Sequence, residues 1–179
     1  TIEITESQIS KPYIDMTIDV MKHFGVKVKN KQYKEYIIPA NQKYTAKEYA
    51  VEGDLSSASY FLAIAALTKS IITIKNVNPN SKQADLKLIK ILQDMGNKIT
   101  FGRNQVTITG KGVKPVDVDM EDCPDQIQTL AVLTSFAKGT TKISGITSLR
   151  IKETDRVFAL MKELKKMGIK TSVIKDTLI

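Results

Sequence analysis

Apolar residues recur at helical spacing in three segments of the chain, and a glycine follows each segment. The apolar positions are Ile14, Ile18 and Met21 in the first segment, Leu88, Ile91, Leu92 and Met95 in the second, and Val157, Leu160, Met161 and Leu164 in the third. This spacing predicts amphipathic helices that bury one face. The glycines, Gly25, Gly96 and Gly168, lie 71 and 72 residues apart, and each is expected to end its helix before a strand.

Two other segments are apolar or small on nearly every side. They are SASYFLAIAAL at 57–67 and IQTLAVLTSFA at 127–137, and a helix of this composition is expected to be enclosed. Each precedes a β-branched stretch that predicts a strand, at 71–74 and at 140–143. Two further strands are predicted at 98–101 and 105–109, joined as a hairpin by Gly102-Arg103-Asn104.

These elements form a repeating unit of strand, buried helix, strand, amphipathic helix and two strands, or βαβαββ. One whole unit is predicted from about 49 to 110, and a second begins near 116 and is expected to be cut at Ile179 inside its closing hairpin. Residues 1–47 resemble the back half of an earlier unit. The predicted fold class is therefore α/β (α+β) with repeated units. The alternative is an ordinary α/β domain whose helices end in Gly by coincidence.

Composition excludes several classes of protein. The chain is 42% hydrophobic and 26% charged, as in globular proteins, and no apolar run approaches the ~18 residues of a membrane span. The single cysteine, Cys123, excludes an internal disulfide and fits a reducing cytoplasm. With no histidine nearby, Cys123 is expected to be buried rather than catalytic. One cysteine and one histidine do not supply a zinc site, so we expect no metal.

The net charge of +8 predicts an anionic partner. Nucleic acid is the general candidate, but the lysines are scattered and the aromatic residues do not interleave with them as a stacking platform requires. A small polyanionic metabolite explains the charge equally well. We therefore expect no nucleic acid partner, and a basic nucleic-acid-binding module remains the alternative from another class.

The heptapeptide RIKETDR at 150–156 is the strongest candidate for chemistry. It places three cations and two carboxylates around the start of a predicted helix. Lys152 and Arg156 are four residues apart, so on a helix they would share a face and could bind one anion together. Glu153 beside them could move a proton. The segment predicts half of a site for a phosphorylated or carboxylated substrate.

Two more helix starts carry candidate residues. Ser10 precedes Pro12 and is well placed as an N-cap, or as a hydroxyl that holds a phosphate at the helix N-terminus, with Tyr13 offering its hydroxyl to a ring alcohol. Asp125, after Cys123 and Pro124, is placed either as an ordinary N-cap or to hold a carboxylate against a substrate hydroxyl.

Four strings together resemble the 5-enolpyruvylshikimate-3-phosphate synthase family, whose members are also called 3-phosphoshikimate 1-carboxyvinyltransferases. They are SKPYIDMT at 10–17, VEGDLSSASYF at 51–61, PDQIQTLAVL at 124–133 and RIKETDR at 150–156. The resemblance covers essentially the whole chain in the family's order. The related UDP-N-acetylglucosamine carboxyvinyltransferase shares the βαβαββ repeat but lacks the first and last strings, and it remains an alternative.

The resemblance implies an enolpyruvyl transferase-like fold, an inside-out barrel with sheets outside and buried helices inside. It further implies two domains of three units each. Residues 1–50 would be the end of the N-terminal domain, on the shikimate 3-phosphate side. Residues 51–179 would be two units of the C-terminal domain, the second one truncated.

The resemblance also implies the reaction and the roles of individual residues. The carboxyvinyl group of phosphoenolpyruvate moves to the 5-hydroxyl of shikimate 3-phosphate, phosphate leaves, and no cofactor is used. Ser10, Tyr13 and Lys152 would bind shikimate 3-phosphate, and Arg156 would bind phosphoenolpyruvate. Asp125 would hold and deprotonate the attacking hydroxyl, and Glu153 would serve as the acid–base group. Where the family often has Asn, this chain has Ser148, a weaker candidate for the substrate phosphate.

Other family strings that contact the substrates have no counterpart in these 179 residues. We therefore expect the chain by itself to be inactive and to bind shikimate 3-phosphate weakly. The full enzyme is expected to be a cytoplasmic monomer. The chain alone is expected to self-associate unless its partial units close on one another.

Overall fold

The computed structural model describes residues 1–179, which divide into two compact units. Unit 1 comprises Thr1–Val51 with Lys82–Ala84, and unit 2 comprises Glu52–Ser81 with Asp85–Ile179. The assignment of residues 1–50 and 51–179 to the two domains of a longer enzyme stays a prediction. No helix of the chain has both the length and the apolar character that a membrane crossing requires.

Unit 1 is one helix with a small antiparallel sheet. Its elements in chain order are β1 (Ile2–Glu3), α1 (Lys11–His23), β2 (Lys29–Lys31) and β3 (Glu35–Ile37). The sheet order is β1-β3-β2. Val26 and Tyr36 are the buried apolar residues of this unit, whereas no residue of α1 itself is fully buried.

Unit 2 alternates helices with short strands. Its helices are α2 (Leu55–Thr68), α3 (Leu86–Asp94), α4 (Ile127–Ser135) and α5 (Arg156–Lys166). Two short 3-10 helices, Pro124–Gln126 and Thr147–Ile151, precede α4 and α5. The strands are β4 (Ile71–Lys75), β5 (Lys98–Gly102), β6 (Gln105–Thr109), β7 (Asp117–Asp119), β8 (Lys142–Ser144), β9 (Val173–Ile174) and β10 (Thr177–Leu178).

The strands of unit 2 form two separate sheets, with orders β4-β6-β5 and β7-β8-β10-β9. All pairs are antiparallel except β7 with β8. Neither sheet closes on itself, so these residues form no closed barrel. The run β7-α4-β8-α5-β9-β10 has the predicted βαβαββ order, whereas the earlier unit lacks a strand before α2. The last hairpin, predicted to be cut at Ile179, forms with strands of two residues each.

The three glycine-ended helices end in the same way, as the repeat predicted. Gly25, Gly96 and Gly168 have φ of 94°, 106° and 80°, a left-handed conformation that glycine adopts without steric cost. In each case the glycine N–H and the next N–H donate back to carbonyls of the last turn, the Schellman pattern. The three predicted helices and their glycine ends are confirmed, and α3 and α5 bury apolar residues, whereas α1 buries none fully.

The prediction that α2 and α4 are enclosed holds for only part of their surface. Their buried faces include Leu62, Ala65 and Ala66 of α2 and Leu130 and Leu133 of α4. The opposite faces expose Tyr60, Phe61 and Ile64 of α2 and, along or just after α4, Val132 and Phe136. The two helices meet where the hydroxyls of Ser59 and Thr129 are 3.4 Å apart. Composition indicated burial on every side, but within this chain each helix packs on one side only.

Candidate active site

Asp125 lies in the short 3-10 helix that leads into α4. Proline at the first position of this turn costs no backbone hydrogen bond, and the Gln126 N–H donates to the Cys123 carbonyl at 3.3 Å. The N-cap positions are Cys123 for the 3-10 helix and Gln126 for α4. The interpretation of Asp125 as an ordinary N-cap is therefore wrong, and its carboxylate is directed to other partners.

The RIKETDR segment connects the second 3-10 helix to α5. Helix α5 begins at Arg156, and the Asp155 carboxylate caps it by accepting the Phe158 N–H at 3.0 Å. Lys152 precedes the helix and has an extended backbone, with φ −78° and ψ −161°. The prediction that Lys152 and Arg156 share a helical face is therefore wrong, since Asp155 acts as a strong N-cap and starts the helix four residues after Lys152.

The structure nevertheless brings four of the predicted residues together within unit 2. Arg156 donates from Nη1 to Asp125 Oδ1 at 2.9 Å. Its Nε and Nη2 donate to the two oxygens of Glu153 at 2.8 and 2.9 Å, a two-pronged contact. Lys152 Nζ lies 3.8 Å from the same Asp125 oxygen. One guanidinium therefore links two carboxylates, and a second cation stands beside one of them.

The electrostatics of this cluster follow from the guanidinium. Hydrogen bonds from Arg156 hold the pKa of Glu153 below its usual range, and those to Glu153 raise the pKa of Arg156. The cluster thus contains two cations, Lys152 and Arg156, and two carboxylates, Asp125 and Glu153, whose formal charges cancel. All four side chains are partly open to solvent, so an anion arriving at Arg156 would compete with its carboxylate partners.

Ser148 lies in the second 3-10 helix, before the cluster in sequence. Its hydroxyl is buried and has no hydrogen-bond partner. Buried hydroxyls are usually satisfied, so this one is an exception. Its assignment to the substrate phosphate stays a prediction.

Ser10 and Tyr13 belong to unit 1, at the start of α1. Ser10 occupies the N-cap position, but its side chain makes no capping hydrogen bond, and only its carbonyl accepts the Tyr13 N–H, at 3.2 Å. The capping interpretation of the Ser10 hydroxyl is therefore wrong. Ser10 also has φ 53°, a left-handed conformation that costs a non-glycine residue roughly 1–2 kcal/mol. Strain of this kind often occurs at functional positions.

One group near the cluster was not predicted from the sequence. Asp85, at the start of α3, is buried, and its carboxylate accepts hydrogen bonds from Ser56 Oγ and Gln126 Nε2. Gln126 follows Asp125 directly. Asp85, like the capping Asp155, directly precedes the first residue of its helix, but a sequence does not show where a carboxylate is directed.

The fold is that of an enolpyruvyl transferase. Two solved structures are similar in fold: EPSP synthase from Acinetobacter baumannii (TM-score 0.72, 24% identity, 99% of this chain and 41% of that one) and the enolpyruvyl transferase NikO from Streptomyces tendae (TM-score 0.68, 20% identity, 93% and 39%). The family model for EPSP synthase (3-phosphoshikimate 1-carboxyvinyltransferase) matches residues 1–179, and the chain belongs to this family.

Curated relatives bear the same name. The 3-phosphoshikimate 1-carboxyvinyltransferase of Methanococcus aeolicus is 47% identical over 184 residues, which cover all of this chain and 42% of that protein. Those of Buchnera aphidicola and Escherichia coli are 44% and 41% identical over 94% and 93% of this chain. The chain spans about two fifths of the length of these relatives.

Proposed function

We propose that the protein containing this chain transfers the carboxyvinyl group of phosphoenolpyruvate to the 5-hydroxyl of shikimate 3-phosphate and releases phosphate. The reaction belongs to chorismate and aromatic amino acid biosynthesis. Family membership along all 179 residues supports it. The observation that carries the proposal is the convergence of Lys152, Glu153 and Arg156 with Asp125.

The proposed roles follow from the charges that the reaction requires. The attacking hydroxyl must lose a proton, and the methylene carbon of phosphoenolpyruvate must gain one. Asp125 holds and deprotonates the hydroxyl, while Lys152 binds the shikimate side. Arg156 binds the anionic phosphoenolpyruvate and stabilises charge that develops during the reaction. Glu153 exchanges the proton at the methylene carbon.

Arg156 also suggests how substrate binding prepares Glu153. In the structure, the hydrogen bonds from Arg156 are the main cause of the lowered pKa of Glu153. When phosphoenolpyruvate takes those hydrogen bonds, the pKa of Glu153 rises, because an anion has arrived and a stabilising cation is shared. Glu153 then holds a proton more readily than it does beside Arg156 alone.

The remaining predicted residues complete the proposal. Ser10 and Tyr13 of unit 1 bind shikimate 3-phosphate, and the strained, uncapped Ser10 hydroxyl supports this role. Ser148 contributes its unpaired hydroxyl to a substrate phosphate. The reaction needs no cofactor or metal in this proposal.

A chimera tests the function directly. Residues 1–179 replace the matching segment of the Escherichia coli relative, and phosphate release is followed with both substrates present. We expect turnover in the chimera and its loss in Asp125→Asn and Glu153→Gln. Lys166→Ala, which removes an exposed ion pair with Glu163, serves as the control and should retain turnover. A folded chimera without substrate-dependent phosphate release would contradict the proposal.

The chain by itself is proposed to be inactive. Turnover above background by the isolated 179 residues would refute this. Titration calorimetry with shikimate 3-phosphate is expected to show weak binding, since the family's other substrate-binding strings are absent from these residues.

The family match and the names of the relatives do not favour the two alternatives. Supplying UDP-N-acetylglucosamine to the chimera tests the first, and we expect no transfer. Oligonucleotide affinity measured against salt concentration tests the second. A steep decrease with salt would reveal phosphate-backbone binding, whereas we expect no binding near physiological salt despite the charge of +8.

The isolated chain is also proposed to self-associate, whereas the full protein is proposed to be a cytoplasmic monomer. The exposed apolar residues of α2 and α4 support association, since contiguous exposed apolar surface marks interaction sites. Sedimentation velocity should show association that Phe61→Glu weakens. The control Ile174→Glu changes an exposed apolar residue of β9 and should not weaken it. A compact monomer at every concentration would exclude the proposal.

A further inference from the structure

Asp85 is a buried carboxylate that joins three helix starts. It precedes α3 and is 5% exposed. Its Oδ1 accepts the hydroxyl of Ser56, in the first turn of α2, at 2.6 Å. The same oxygen accepts Nε2 of Gln126, the residue that precedes α4. A carboxylate removed from water is costly unless hydrogen bonds compensate it, so this position needs a reason.

Capping does not explain Asp85. In the following repeat, Asp155 stands 70 residues later at the start of α5 and caps that helix through the Phe158 N–H. Asp85 holds the same position before α3 but makes no side-chain capping bond, and its backbone is helical, with φ −64° and ψ −17°. One repeat thus uses its aspartate to cap a helix, and the other directs it across the core.

Gln126 transmits this contact to the turn that carries Asp125. The Gln126 side chain is 1% exposed, and its Oε1 has no hydrogen-bond partner. The bond from Nε2 to Asp85 is therefore the one that orients the Gln126 amide. Without it, both ends of a buried amide would be unsatisfied, a cost that favours movement of the turn.

We propose that Asp85 is a positioning residue that, through Gln126, fixes the turn presenting Asp125 to the substrate hydroxyl. The effect of Asp85 on catalysis rests on the proposed function. Its effect on the position of the turn does not. Errors of about 1 Å in the placement of a reacting group can cost about 100-fold in rate. Asp85 therefore affects the rate of reaction without touching substrate.

Two substitutions at Asp85 separate hydrogen bonding from charge. Asp85→Asn keeps Oδ1, which accepts both hydrogen bonds, and removes the charge. Asp85→Ala removes both bonds. In the chimera, we expect Asp85→Ala to lower kcat by about 10- to 100-fold, with a smaller change in the KM for phosphoenolpyruvate, which Arg156 binds. Asp85→Asn should restore most of the kcat.

Asn97→Ala is the matched control for stability. Asn97 is also a buried polar residue next to α3, but at the opposite end, where it donates to the Leu92 carbonyl at 3.0 Å and accepts the Lys111 N–H at 2.9 Å. Its loss should lower the Tm while kcat per folded molecule stays unchanged. Kinetics are measured well below the Tm of every variant.

Cys123 provides a second readout that does not need catalysis. It is fully buried at the start of the same turn, so its reaction with a thiol reagent reports local opening. In the 179-residue chain, Asp85→Ala should label faster than Asn97→Ala at equal global stability. It should also label faster than Asp85→Asn, which removes the same charge and so has the same effect on the pKa of Cys123.

Each outcome decides a separate point. The positioning role is overturned if kcat is unchanged in Asp85→Ala, or if Asn97→Ala lowers kcat by as much. It is also overturned if the kcat of Asp85→Asn is as low as that of Asp85→Ala. If the parent chimera itself has no turnover but Cys123 labels faster specifically in Asp85→Ala, the proposed function fails and the fixing of the turn remains.

Discussion

The guanidinium of Arg156 contacts the carboxylate of Asp125 at 2.9 Å, although 31 residues separate them in sequence. The contact joins the first turn of α5 to the 3-10 helix before α4. Because Arg156 also donates two hydrogen bonds to Glu153, one side chain sets the placement of both carboxylates proposed for proton transfer.

Arg156→Ala should separate stability from activity. The ion pairs of Arg156 are partly exposed, so the free energy of unfolding should fall by about 1 kcal/mol or less. Turnover of the chimera should fall by about 100- to 1,000-fold, the usual effect of losing a group that stabilises developing charge. Arg156→Lys keeps the charge but not the planar fork and should recover little activity. Urea denaturation and phosphate release measure the two effects, and Lys166→Ala is the control. If the loss of turnover in Arg156→Ala were no larger than the loss of folded protein explains, this assignment would be contradicted.

Asp54 should make stability depend on pH through its cap on α2. Its carboxylate accepts the Ser56 N–H at 2.9 Å and the Ser57 hydroxyl at 2.6 Å, and the Ser57 hydrogen bond is the main cause that lowers the pKa of Asp54. A lowered pKa means that this stabilisation is complete above the unfolded value, about 3.9, and is lost as pH falls through the folded value.

Asp54→Ala should therefore lower the free energy of unfolding by about 1 kcal/mol at pH 7. This difference in free energy between the variant and the parent should shrink below about pH 4. Urea denaturation at pH 7, 4.5 and 3 measures it. Asp94→Ala is the control, since a carboxylate in the last turn of α3 opposes the helix dipole and its removal should cost nothing. A difference for Asp54→Ala that stays constant down to pH 3 would show that ionisation of Asp54 is unimportant.

Two glycine substitutions should differ sharply in cost. A Cβ at Gly168 meets no atom within 4 Å, so Gly168→Ala tests only the conformation at φ 80° and should cost about 1 kcal/mol. A Cβ at Gly110 would lie 1.9 Å from the Ala65 carbonyl oxygen. Backbone must move there, and Gly110→Ala should cost more than about 3 kcal/mol. Thermal and urea unfolding compare the two variants. A smaller cost for Gly110→Ala than for Gly168→Ala would contradict the packing of β6 against α2.

Cys123 should be almost unreactive while the chain is folded. Burial, followed by the negative charge of Asp85, raises its pKa to about 12, so only about 1 in 10,000 molecules carries the thiolate at pH 8. The thiolate is the reactive form. A chromogenic disulfide reagent should label the native chain slowly and the urea-unfolded chain rapidly. Equal rates in the two states would show that the thiol is accessible.

Much of the fold could be predicted because its signals are local. The helices ending at Gly25, Gly96 and Gly168 follow from apolar spacing and from a residue that tolerates positive φ, and both can be read within about two turns. The hairpin of β5 and β6 is likewise local. The enclosure of α2 and α4 was overpredicted, because composition indicates how apolar a helix is but not how many neighbours this chain supplies.

Predictions at the site failed where two local rules competed. Ser10 has the residue type and the position of an N-cap, yet its left-handed backbone leaves the side chain uncapped. Lys152 has helical spacing from Arg156, but Asp155 starts the helix later. In each case the residue type was suitable, and the backbone of the preceding loop determined the result.

The sequence by itself determined the repeat, the helix ends, the candidate residues and, through four strings, the family. Only the tertiary structure decided which of these side chains meet. Asp85 and Asp155 each directly precede a helix, yet Asp155 caps its helix whereas Asp85 reaches Gln126. The reason is physical: capping depends on a residue and its immediate neighbours, whereas the partner of a buried carboxylate depends on which distant helix starts are packed against it.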